Sequence, residues 1–244
     1  MGIDLLQNTA RFVEALEIIK LAWSGERFDH DGRFYKFRDT QVIPTPVQKP
    51  YPRMWYASIR KESARMAANL QLGCCAVFDA GPQELAERQQ LWITAARNRG
   101  CSEEWIRDTL AHTPNQRIVW VADTDRKAEE ECQSMLRSFG RLAERCAWPG
   151  TGFARDIPES QVDPGYRQRL KQGWLQARFD WETLKQNYSV LVGSPQTVRR
   201  LIEELTEQFP MEYMLMWTSI GGPPWEAQEH CLKLFADKVM PHFK

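Results

Sequence analysis

An uninterrupted apolar run, Met54-Trp55-Tyr56-Ala57, passes through Ser58 straight into Ile59-Arg60-Lys61-Glu62-Ser63-Ala64-Arg65-Met66-Ala67-Ala68, and this junction commits the chain to an α/β layout. Four apolar residues without polar alternation read as a strand covered on both faces. Ser58 ends the run, Glu62 and Ser63 stand where a helix begins, and helix formers follow. Parallel α/β folds place their ligands at such strand-to-helix turns. A helix N-terminus carrying hydroxyl side chains also suits an anion, because its first backbone N–H groups lack intrahelical partners. The same residues read equally as one βα loop among several, capped by Ser63 for stability alone, and the local pattern leaves both readings open.

The junction recurs along the chain. After a helix over about 61–71, Cys74-Cys75-Ala76-Val77-Phe78 forms a second apolar run, and Pro82 suits the first position of a long helix over 83–99 that Gly100 ends. Residues 117–122 give a third strand. Thr124 or Asp125 caps the next helix, whose stripe is Ala128, Cys132, Met135, Leu136 and Phe139. The last strand is 212–219, and a closing helix over 225–239 turns Leu232, Phe235, Ala236 and Val239 inward. We count four strands, 54–58, 74–78, 117–122 and 212–219, in the order of a parallel sheet with crossover helices. Between the last two, a short extended run ends in Gly193, with Ser194 as cap and Pro195 opening a helix to about Gln208.

Outside that rhythm lie three stretches. Residues 8–24 predict an amphipathic helix with Phe12, Leu16, Ile19 and Trp23 on one face, capped by Asn8 or Thr9 and stopped by Gly25. Asp31-Gly32 predicts a two-residue hairpin, with His30 facing solvent beside the turn, and four prolines make 42–52 an extended connector. Residues 146–188, punctuated by proline and glycine but carrying Trp148, Trp174 and Trp181, read as an inserted lid or binding loop, or as a structural excursion.

Charge narrows the function classes. The 32 basic and 32 acidic residues balance without a basic stripe, which argues against nucleic acid and anionic membrane as partners. No apolar run approaches the roughly 20 residues of a membrane span, and the N-terminus lacks a signal-peptide core. Six cysteines without Cys-x-x-Cys spacing read as reduced thiols of a cytoplasmic protein, and four scattered histidines give no metal site.

Five motifs, RFVEALEIIKLAW, FDHDGRFYKF, VIPTPVQKPYPRMWYAS, VLVGSPQTVRRLIEEL and LKLFADKVMPHF, together resemble the luciferase-like flavin-dependent monooxygenases, in family order and over nearly the whole chain. The resemblance implies a partial TIM (β/α) barrel: about four C-terminal βα units behind an N-terminal helix and hairpin, in a single domain over 1–244. The family's first four strands have no counterpart here, so the chain reads as a shortened copy whose catalytic residues stay unassigned. The resemblance further implies an oxidoreductase in which reduced flavin (FMN) and dioxygen oxidise a small organic substrate, with a flavin reductase as partner. Ala57, Ser58, Arg60 and Ser63 are the cofactor-binding residues it implies, at the phosphate and ribityl end. A deazaflavin in place of FMN, and a non-catalytic flavin-binding or barrel-completing remnant, are the alternatives. Gly193-Ser194-Pro195 matches a family turn that capping alone explains. Half a barrel leaves exposed strand edges, which predicts a homo-oligomer or a partner chain.

Overall fold

The computed structural model describes residues 7–58, 61–78, 80–147, 168 and 180–243. These fall into two compact units divided after Met54. The expected excursion over 146–188 lies mostly outside the described residues.

The first unit joins a helix to a hairpin. Helix α1, Asn8–Ser24, ends at Gly25 in the left-handed conformation that glycine adopts without strain (φ 83°). Gln7 holds the N-cap position without a side-chain bond, so neither Asn8 nor Thr9 caps the helix. Of the expected apolar face only Leu16 is buried, while Phe12 and Ile19 are exposed.

Strands β1, Phe28–Asp31, and β2, Lys36–Thr40, pair antiparallel with Asp31 opposite Lys36. Their connection is four residues, 32–35, rather than the two expected. The longer turn lets the chain wrap around Glu14 of α1. Its carboxylate accepts hydrogen bonds from the N–H groups of Phe34 (3.0 Å) and Tyr35 (2.8 Å) and lies 3.2 Å from His30 Nε2. His30 is therefore tucked against Glu14 with its side chain only 14% exposed, not turned to solvent. Gly32 is required for space: a Cβ there would collide with the Glu14 carboxylate and the His30 ring. Burial works against ionisation of Glu14, but the Tyr35 and Phe34 N–H groups and His30 outweigh it, holding its carboxyl below the usual range.

The second unit is a parallel sheet with helices. In chain order it comprises β3 (Trp55–Ser58), α2 (Lys61–Asn69), β4 (Gly73–Ala76), α3 (Pro82–Asn98), α4 (Glu103–Ala111), β5 (Asn115–Val121), α5 (Asp125–Ala147), α6 (Trp181–Gln186), β6 (Val190–Gly193), α7 (Pro195–Gln208), β7 (Met214–Trp217) and α8 (Trp225–Lys238). The sheet has five strands where the sequence suggested four, because the run before Gly193 pairs as β6. Helix α4 is a further addition. Ser102 caps it, accepting the Trp105 N–H at 3.1 Å.

Strand β5 organises the sheet. Successive N–H groups of a strand point to opposite edges. Asn115 N–H donates to the Tyr213 carbonyl (3.0 Å), whereas Ile118 N–H donates to Ser189 (3.0 Å) and Ala122 N–H to Gly193 (3.2 Å). β7 and β6 therefore flank β5 on opposite edges. β4 meets β5 at Ala76 and Asn115, and β3 pairs with β4 along its whole length. Ile118, Val119, Trp120 and Val121 are all buried, with Ala128, Cys132, Leu191, Val198 and Leu205 around them. The closing helix buries Cys231, and Val239 just past its end is buried too, whereas Leu232 is exposed. Arg117 is buried too: its guanidinium donates to the carbonyls of Ala80 (3.1 Å) and Gln116 (2.7 Å), tying β5 to the connection after β4.

Burial keeps Cys74, Cys132 and Cys231 protonated. It pushes Cys74 up to about 11 and Cys132 up to about 12. Cys231, whose sulfur accepts the Val121 N–H, is pushed up to about 11. At pH 7, mass spectrometry should show Cys74, Cys132 and Cys231 resisting iodoacetamide in the folded chain, with Cys74 reacting as pH approaches 11. Prompt alkylation of all three at pH 7 would contradict this packing.

A second expectation concerns Glu14. A carboxyl whose folded pKa is depressed stabilises above its unfolded value, and that stability is lost as pH falls through the folded value. Glu14→Ala at pH 7 should therefore speed amide exchange at Phe34 and Tyr35, and acid should do the same in the parent chain. Unchanged exchange in the variant would refute the clamp.

Candidate active site

Strand β3 and helix α2 lie on either side of the junction, as the apolar run and the helix formers suggested. Ala57 is exposed near the end of β3, and Ser58 closes the strand, in register with Ala76 of β4. Ser63 is half-buried in the first turn of α2, not at its cap, because the helix already begins at Lys61. Arg60 lies outside the described residues. Ala64, Ala67 and Ala68 are fully buried behind this turn. Side chains this small let the α2 backbone lie close to its neighbours, which fixes where the helix N-terminus sits. Glu62, exposed in the same turn, favours the helix dipole but opposes a bound anion.

The glycine-serine-proline turn is different. A Cβ on Gly193 would sit 2.6 Å from Thr197 Cγ2 and 2.8 Å from Asp125 Oδ1, so only glycine fits. Asp125 accepts the Ser194 N–H at 2.6 Å, and that bond holds its carboxyl below the usual range. The N-terminus of α7 thus already faces a protein carboxylate. Ser194 occupies the N-cap position, but its hydroxyl meets the Thr197 hydroxyl (3.3 Å) instead of a backbone N–H. Sequence reading assigned Asp125 only as a helix cap. Thr124 does that capping, accepting the Lys127 N–H at 3.3 Å.

Beyond β5, Asp123 lies 2.9 Å from His230 Nε2 and 3.2 Å from Lys127 Nζ, and these partners lower its pKa. Nothing in the sequence joins residues 123 and 230. The group is about half exposed, so solvent screens these pairs.

Comparison with known proteins supplies a family for the chain. The luciferase-like monooxygenase family model matches residues 1–211. The oxygenase component of a flavin-dependent trigonelline monooxygenase from Acinetobacter baylyi is 34% identical over 246 residues, covering 99% of this chain and 62% of its own length. Among solved structures, the oxygenating constituent of 3,6-diketocamphane monooxygenase from Pseudomonas putida, in complex with FMN, superposes with a TM-score of 0.61 at 20% identity. It covers 95% of this chain and 62% of its own. The coenzyme F420 dependent tetrahydromethanopterin reductase of Methanopyrus kandleri also gives 0.61, at 16% identity, over 96% of this chain and 63% of its own. The chain spans just over three-fifths of the length of the trigonelline relative, and the structural likenesses, at 16% and 20% identity, speak for the fold, a (β/α) barrel of which five parallel strands are described. On the match over residues 1–211, this chain belongs to the luciferase-like monooxygenase family.

Proposed function

We propose that the chain acts in a flavin-dependent monooxygenase, with reduced FMN and dioxygen oxidising a small organic substrate. The observation that carries this reading is the β3–α2 turn in a chain of this family. Its donor set suits a phosphate. The first N–H groups of α2 have no intrahelical partner, Ser63 adds a hydroxyl within that turn, and Ala57 leaves the approach without bulk.

In this reading Ser58 and Ser63 donate to the phosphate oxygens and Arg60 adds a charge-assisted contact. When bound, the flavin supplies the redox and oxygen chemistry. The turn fixes one end of the cofactor and thereby orients the other. Glu62 sets a limit on the affinity, since its charge opposes the phosphate. Catalytic residues are not assigned within this chain.

The trigonelline relative is named as an oxygenase component, which supports a separate flavin reductase as supplier of the reduced cofactor. A deazaflavin is the second reading, favoured by the likeness to the tetrahydromethanopterin reductase. Among the described residues no helix is long and apolar enough to cross a membrane, and we place the protein in the cytoplasm as one functional domain. A non-catalytic flavin-binding role is separated from catalysis by turnover with a supplied reductase.

The double variant Ser58→Ala/Ser63→Ala should weaken FMN binding by about 1–3 kcal/mol, the scale of hydrogen bonds to a charged group. Riboflavin, lacking the phosphate, should be affected far less in parallel fluorescence titrations. Equal losses for both ligands would remove the phosphate assignment.

We also propose that the outer edges of β3 and β7 are covered by another polypeptide, a second copy or a partner. Trp55 and Leu215 are each 41% exposed, and Trp55 leans edge-on against Tyr213 at 6.5 Å. Exposed edges with such side chains associate. Light scattering after size exclusion at micromolar concentration should show a dimer or larger species. A stable monomer would count against edge pairing.

A further inference from the structure

The second unit holds a cavity of about 300 Å³ between α3, α4, β4, the start of β5 and the segment entering β7, and none of its lining residues belongs to the β3–α2 turn. That volume is at the lower end of ligand pockets. Leu85, Leu110 and Phe209 supply apolar wall. Trp92 stiffens it: Nε1 donates to the Leu72 carbonyl at 2.8 Å, and the ring stacks on Trp105 at 5.5 Å.

Charge on this lining is balanced. Arg88 is only 5% exposed, and its Nε (3.1 Å) and Nη2 (2.6 Å) already donate to Glu84 Oε1. Arg107 and Glu212 are both exposed and carry opposite signs. Burial pushes the Cys74 thiol up to about 11, so at pH 7 it is neutral. A charged occupant would lose hydration and find no uncompensated partner, so the lining favours a neutral one.

Two half-buried amides on the lining are uncommitted. Leu85, Gln89 and Trp92 follow at steps of four and three, which puts Gln89 on the α3 face that looks into the cavity. Asn115 opens β5, where its backbone N–H donates to the Tyr213 carbonyl. Among the described residues neither side-chain amide has a hydrogen-bond partner. Each carries N–H donors and a carbonyl acceptor. A half-buried amide without a partner has given up water and gained nothing in return, a cost that a bound ligand can relieve. Beside them, Thr113 donates its hydroxyl proton to the Thr109 carbonyl at 2.7 Å, so its oxygen remains an acceptor. The complement to this set is a neutral group with a donor and an acceptor side by side, as in a carboxamide.

We propose that this cavity binds a small neutral aromatic carboxamide, its amide exchanging hydrogen bonds with Gln89 and Asn115 and its ring against Leu85, Leu110 and Phe209. The site is independent of the flavin reading.

Benzamide, acetophenone and benzoate share one shape and differ in a single group, and they serve as probes in isothermal titration of the full chain at pH 7. Benzamide should bind saturably, one per chain. Acetophenone, which keeps the carbonyl but has no N–H, and benzoate, which is charged, should each bind at least about fivefold more weakly. Asn115→Leu and Gln89→Met keep side-chain size while removing the amides, and each should bring benzamide towards the affinity of acetophenone. Ala111→Trp, which fills the cavity from α4, should abolish binding of benzamide. Absence of saturable benzamide binding to the parent chain, equal affinity for acetophenone or benzoate, or benzamide binding unaltered in all three variants would each overturn the proposal.

Discussion

The described part of the second unit hangs on the two edges of β5. One edge accepts β7 over Asn115–Ile118, and the other accepts β6 over Ile118–Val121. Every residue from Arg117 to Val121 is buried, so the strand is covered on both faces as well as paired on both edges. Burying each Val- or Ile-sized side chain contributes about 1.5–3 kcal/mol. Arg117 sits in this run because its guanidinium reaches backbone carbonyls, including Ala80 at the entry to α3. The same strand that holds the sheet together thus also fixes the connection leaving β4.

Where hydrophobic period and turn chemistry agree, the sequence was readable. The βα order, the stripe of α5 and the glycine that stops α1 all follow from local rules. Strand β6 was missed as a sheet member because four residues ending in glycine carry too little pattern to separate strand from connector. Helix α4 was missed because its signal is a single cap, Ser102, before a short, charged segment. The hairpin turn misled for another reason. Asp31-Gly32 satisfies a two-residue turn locally, but Glu14, seventeen residues before Asp31, captures two N–H groups of the loop and draws it wider. Likewise, α8 packs the expected Phe235 against the core but buries Cys231 and not Leu232 beside it, since packing and not hydropathy decides which neighbour faces inward.

The site shows the same division. The strand-to-helix turn at Ser58 was legible because apolar run, hydroxyls and helix formers are contiguous. The Asp123–His230 pair and the Arg88 cavity were not, since each joins elements far apart in the chain. The two helix N-termini also differ in a way that only geometry reveals. At α7 a carboxylate from Asp125 already meets the Ser194 N–H, whereas α2 presents its first turn beside an alanine and a serine.

That difference is why we propose α2, and not α7, for the phosphate. The most direct measurement is the phosphorus NMR signal of FMN titrated with the full chain. The account predicts a saturable shift or broadening of the phosphate resonance that Ser58→Ala/Ser63→Ala suppresses. A phosphate signal unmoved while the flavin ring fluorescence is quenched would contradict it, because the cofactor would then be held without the β3–α2 turn.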